Sequence, residues 1–70
     1  MTLPQIFILG SKLNPVSMEQ CLEIINQRIS SNQAMHVITL NAEIVYQARQ
    51  NQALQHTINQ ADLVTADGIG

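Results

Sequence analysis

"HVITLNAEIVYQ", residues 36–47, changes its period in the middle, and that change decides the fold. Val37, Ile38 and Thr39 are β-branched and lead into Leu40, a short run that suits a strand. From Ala42 onward the apolar residues Ile44, Val45 and Ala48 fall at helical spacing. Asn41 stands at the junction, where its side chain can accept from a free backbone N–H of the helix that follows. A strand that passes almost directly into a helix is the opening half of a strand–helix–strand unit.

The pattern extends in both directions. Toward the C-terminus, Leu54, Ile58 and Ala61 continue the helical spacing, but "RQNQ" (49–52) is polar enough to predict a kink or short turn near Asn51. Leu63 to Ala66 is then a further short apolar run, followed by a turn built on Asp67, Gly68 and Gly70. Toward the N-terminus, "QIFILG" (5–10) is a continuous apolar run ended by Gly10, the pattern of a first strand covered on both faces as parallel strands usually are. "SKLNPVS" (11–17) reads as a turn marked by Asn14 and Pro15, with Ser17 as N-cap and Gln20 completing a capping box. The helix so started runs to about Ser30. Its Met18, Cys21, Leu22, Ile25 and Ile29 form one apolar stripe, which is expected to cover a sheet.

Strand, helix, strand, helix, strand is the alternation that gives a parallel sheet with right-handed crossovers. The fold class expected is α/β, Rossmann-like and three-layered, present here as a β-α-β-α-β fragment. In open α/β sheets ligands bind outside the carboxyl ends of the strands. Both "TLN" (39–41) and "ADG" (66–68) fall at such ends, so Thr39, Asn41 and Asp67 are expected to share one rim.

Composition narrows the partners. Seventy residues allow one domain, and a chain of that size hides only about 60% of the surface its unfolded form exposes. Charged residues make up 11%, and nine Gln and six Asn, scattered rather than clustered, supply neutral polar helix faces instead. Lys12, Arg28 and Arg49 are the only basic side chains and the net charge is −2, too little to neutralise the phosphates of a nucleic acid. The longest apolar run, Ile6 to Leu9, is far short of the roughly 20 residues a spanning helix needs, and the segment reads as cytoplasmic. Cys21, the one cysteine, lies among apolar neighbours and reads as a quiet buried thiol. A sheet edge left open would invite dimerisation.

Among side chains able to do chemistry, Asp67 comes first: a carboxylate on a turn at a strand end, beside glycines that let a ligand approach the backbone, can act as a general base. Asp-Gly is equally a way to make a tight turn. Gly68 and Gly70 can turn backbone N–H groups toward a diphosphate. Thr39 and Asn41 offer a hydroxyl and an amide to a sugar, although Asn41 can instead spend its side chain on the helix cap. Glu43 in the first helical turn suits the helix dipole. Neither His36 nor His56 has a second ligand at metal-binding spacing, so no metal and no cofactor is expected.

Taken together, "ILGSKLNPVSMEQCLEII", "VITLNAEIVYQARQN" and "INQADLVTADGIG" resemble, in order and spacing, the N-terminal part of the WecG/TagA/CpsF family of glycosyltransferases. The specific parts are the Thr-x-Asn-x-Glu stretch and the ending Ala-Asp-Leu-Val-x-x-Asp-Gly-Ile-Gly. The chain departs from the family pattern at Leu40 and Ala66, where relatives carry proline.

The resemblance implies inverting transfer of an N-acetylmannosamine-type sugar from a UDP donor to a lipid-diphosphate-linked N-acetylglucosamine acceptor, in bacterial cell-wall or exopolysaccharide synthesis. It implies Asp67 as the base, and Thr39, Asn41, Gly68 and Gly70 as substrate-binding residues. Family members are longer, so residues 1–70 are expected to be the N-terminal part of a single glycosyltransferase domain, inactive alone. Membrane contact is expected only through other regions, at the inner face of the membrane. A Rossmann-like nucleotide-binding module without transferase activity is the alternative.

Overall fold

In the computed structural model, which describes residues 3–66, the chain runs β1 (Ile6–Ile8), β2 (Ser11–Leu13), α1 (Met18–Ser30), β3 (Val37–Leu40), α2 (Ala42–Arg49), α3 (Gln52–Gln60) and β4 (Leu63–Ala66). Among the described residues the architecture is mixed α/β, with two two-stranded sheets.

β3 and β4 pair in parallel, from Val37 opposite Leu63 to Leu40 opposite Ala66. α2 and α3 together form the crossover between them. Each begins where an asparagine side chain takes an orphan N–H: Asn41 Oδ1 accepts from Ile44 N at 2.8 Å and Asn51 Oδ1 from Leu54 N at 3.1 Å. The break expected near Asn51 is therefore a complete stop and restart, because Asn51 itself takes an extended conformation as the new N-cap. Ser17 and Gln20 form the expected capping box at the start of α1.

One face of the parallel pair carries the core. Leu40 and Val64 pack with Val45 and Ala48 of α2 and with Ile58 and Ala61 at the end of α3, while Leu13, Ile38, Ile44 and Leu54 close around them. Alternation sends Leu63 and Thr65 to the opposite face. There Thr65 shares a small cavity of about 30 Å³ with Val16, Ser17, Met18 and Cys21, so the first turns of α1 lie on that side.

The N-terminal strand differs from expectation. Ile6–Ile8 is a strand, but it is neither covered nor parallel: all three residues are exposed, and β1 pairs antiparallel with β2, Ile6 opposite Leu13 and Ile8 opposite Ser11. The cause is local. Leu9 and Gly10 both take positive φ, 49° and 89°, which closes a two-residue hairpin and turns the chain back on itself. "SKL", expected in a turn, is the return strand. Two amides of α3 fasten the loop: Gln55 Nε2 donates to Leu9 O and Asn59 Nδ2 to Gly10 O, each at 3.0 Å.

The stripe on α1 packs only in part. Cys21, Ile24, Ile25 and Arg28 are half-buried, whereas Met18, Leu22 and Ile29 stay exposed, Ile29 to 70%. A sheet face two strands wide is too narrow to cover the whole stripe, and the strand that was to widen it lies in the separate hairpin.

Candidate active site

The parallel register brings the carboxyl ends of β3 and β4 side by side, Leu40 against Ala66. Neighbouring strands lie about 4.8 Å apart, so whatever leaves these two ends leaves from adjacent points. Asn41 follows Leu40 directly and Asp67 follows Ala66 in the sequence. Asp67, Gly68 and Gly70 lie outside the described residues.

At this edge sits a cavity of about 310 Å³ lined by Ile8, Leu13, Leu40, Asn41, Ala42, Val45 and Ala66. Leu40 and Ala66 come from the strand ends, Asn41 to Val45 from the opening of α2, and Ile8 and Leu13 from the hairpin. Its lining is apolar except at Asn41. The hairpin, misplaced by the sequence reading, therefore supplies one wall of the concavity at the strand ends.

Asn41 takes the capping role and also lines the cavity at the strand ends. Its Oδ1 caps α2, and its backbone takes φ −126° and ψ 174°, continuing the extended run of β3 before the helix begins. The amide remains exposed at the mouth of the cavity. Thr39 is exposed but on the other face of the strand, because alternation separates it from Leu40. Its register partner is Thr65, which is buried. Thr65 was not singled out in the sequence, where "LVTA" reads only as an apolar strand. The register with Thr39 is what sets two threonines beside each other near the strand ends.

Two of the three basic side chains, Lys12 and Arg28, stand elsewhere. Lys12 Nζ donates to Ala61 O, the carbonyl just beyond α3, and Arg28 lies 4.0 Å from Asp62. Asp62 in turn accepts from His36 N at 2.9 Å, which locks the two strands together at their amino ends. Lys12, Arg28 and Asp62 line a separate cleft of about 350 Å³ at that opposite end. Any diphosphate at the carboxyl ends must thus be met by groups other than Lys12 and Arg28. A wider concavity of about 700 Å³ follows α1 alone and involves neither strand end. No cluster of three or more metal-ligating side chains occurs among the described residues.

A parallel strand pair joined by helices, with a concavity and a polar helix cap at its carboxyl edge, is an α/β arrangement, the class of sheet in which ligands bind outside the carboxyl ends of the strands. The chain belongs to the glycosyl transferase WecG/TagA/CpsF family, whose model matches residues 6–70. Its chemistry is therefore glycosyl transfer, with a sugar donor and an acceptor as substrates. No curated protein and no solved structure matches the chain. No helix among the described residues is long and apolar enough to cross a membrane.

Proposed function

We propose that this protein is an inverting hexosyltransferase that moves an N-acetylmannosamine-type sugar from a UDP donor to a lipid-diphosphate-linked N-acetylglucosamine acceptor during bacterial surface-polymer synthesis. Asp67 is its general base. The observation that carries the reading is the register of Leu40 with Ala66, since the residues that follow them in the chain are Asn41 and Asp67.

In this reaction the Asp67 carboxylate takes the proton of the acceptor hydroxyl. The freed oxygen attacks the anomeric carbon from the face opposite the UDP, the bond from that carbon to the diphosphate oxygen breaks, and UDP leaves with the electron pair. Thr39 and Asn41 bind the sugar from the end of β3, and the backbone at Gly68 and Gly70 meets the diphosphate. The enzyme works at the cytoplasmic face of the membrane, where its lipid-linked acceptor lies. Residues 1–70 supply the N-terminal part of its catalytic domain.

The decisive experiment is Asp67→Asn in the complete protein. General-base catalysis contributes about 10²–10⁴-fold, so turnover is expected to fall by that factor while UDP-sugar binding persists. Near-normal turnover would remove Asp67 from the role. Loss of UDP binding together with turnover would make it a binding residue instead.

A further inference from the structure

Asn14 was read as a turn residue, yet it is only 2% exposed and every polar group it has is engaged. Its backbone N–H donates to Val64 O at 2.7 Å, and its Oδ1 accepts from Val64 N at 2.8 Å. Its Nδ2 donates to Pro4 O at 2.8 Å, and its own carbonyl accepts from Val16 N at 2.8 Å.

The two bonds to Val64 are those that a neighbouring strand would make. In a parallel pair, successive residues present their N–H and C=O to opposite edges. Leu63 N–H turns toward β3, where it reaches His36 O at 3.2 Å, so the N–H and C=O of Val64 face the other edge. No third parallel strand stands there among the described residues. Asn14 alone fills the place, its backbone supplying the donor and its side chain the acceptor. Pro15 fixes this arrangement from the sequence, because a residue before proline is held in the extended region. Pro4 O then anchors the side chain from behind.

We propose that Asn14 is a positioning residue for glycosyl transfer. It fastens the free edge of β4 two residues before the strand ends at Ala66, the residue that Asp67 follows in the sequence. The proposal rests on Asp67 being the base. A displacement of about 1 Å in a reacting group can cost roughly 10²-fold in rate, so a strand held at one edge only is a poor mount for a base.

The test is a double-mutant cycle in the complete transferase: Asn14→Ala, Asp67→Asn and the pair together. Turnover is normalised to the fraction of enzyme that binds UDP in a titration. Asn14→Ala is expected to lower kcat about 10- to 100-fold with the donor KM within about threefold. In the Asp67→Asn background the same substitution should change kcat by less than about threefold, because there is no base left to misplace.

A merely structural residue would behave differently, its loss multiplying that of Asp67→Asn or vanishing once turnover is counted per binding-competent molecule. Either result overturns the proposal. Near-normal kcat in Asp67→Asn alone would overturn the base assignment, and with it the route by which Asn14 acts. A slow Asp67→Asn with multiplicative losses would overturn the role of Asn14 only. Should Asn14→Ala not fold, the cycle is run with Asn14→Ser, whose shorter side chain no longer places an acceptor at Val64 N–H. The same non-additivity is then required, and an Asn14→Ser enzyme with unchanged kcat overturns the proposal.

Discussion

Gly10 lies directly beneath Gln55: a Cβ built on Gly10 would stand 2.6 Å from Gln55 Nε2, the atom that donates to Leu9 O at 3.0 Å. Gly10 also has φ 89°, where a side chain is strained whatever space surrounds it. Gly10→Ala is therefore expected to destabilise the protein by about 2 kcal/mol, combining roughly 1–2 kcal/mol of backbone strain with loss of the Gln55 bond. Urea unfolding measures this. In a Gln55→Ala background the same substitution should cost less, since the displaced amide is already gone; equal costs in both backgrounds would show that only the backbone angle matters.

Asn41 can be divided into its cap and its amide. Aspartate caps a helix about as well as asparagine and adds a favourable charge at the N-terminus. Asn41→Asp is expected to leave stability within about 0.5 kcal/mol, while Asn41→Ala should cost about 1 kcal/mol, as should Asn51→Ala at the start of α3. On the proposed function, Asn41→Asp still loses the amide donor at the strand end and should lower transfer about tenfold or more. Full activity in a stable Asn41→Asp enzyme would confine the residue to capping.

Arg28 and Asp62 make a useful contrast within one ion pair. They stand 4.0 Å apart, with side chains 38% and 41% exposed, a geometry that contributes about 0–1 kcal/mol. Arg28→Gln should therefore be nearly neutral in thermal unfolding. Asp62→Ala should cost more, about 1–2 kcal/mol, because the same carboxylate also accepts from His36 N and ties the beginnings of β3 and β4. Equal effects would mean that the ion pair, rather than the backbone bond, is what Asp62 contributes.

The parts legible in the sequence are those made between near neighbours. The caps at Ser17 and Asn41 each join a side chain to a backbone N–H three residues on, and such bonds follow from residue order alone; near Asn51 the sequence marked the break in the helix but not its cap. The β-branched run Val37–Thr39 and the helical spacing after Asn41 gave β3 and the start of α2 for the same reason. The strand end bearing Thr39 and Asn41 was legible too, because a strand that runs into a capped helix announces its own carboxyl end.

What stayed hidden depends on groups far apart in the chain. "FILGSKL" carries no Asn-Gly or Asp-Gly signal, and the carbonyls of Leu9 and Gly10 at the turn are met by amides 46 and 49 residues further on, respectively. Nothing local marks Asn14 as a strand substitute, since its partner Val64 is 50 residues on. The face on which α1 docks was likewise undetermined, because an apolar stripe states that something covers a helix but not how wide the covering surface is. The sequence by itself determined the secondary structure around the strand ends and the family. Only the tertiary structure decided that the first strand folds back as a hairpin, walls the cavity at those ends and leaves the outer edge of β4 to be held by Asn14, for these are matters of which distant groups meet, and residue order does not specify them.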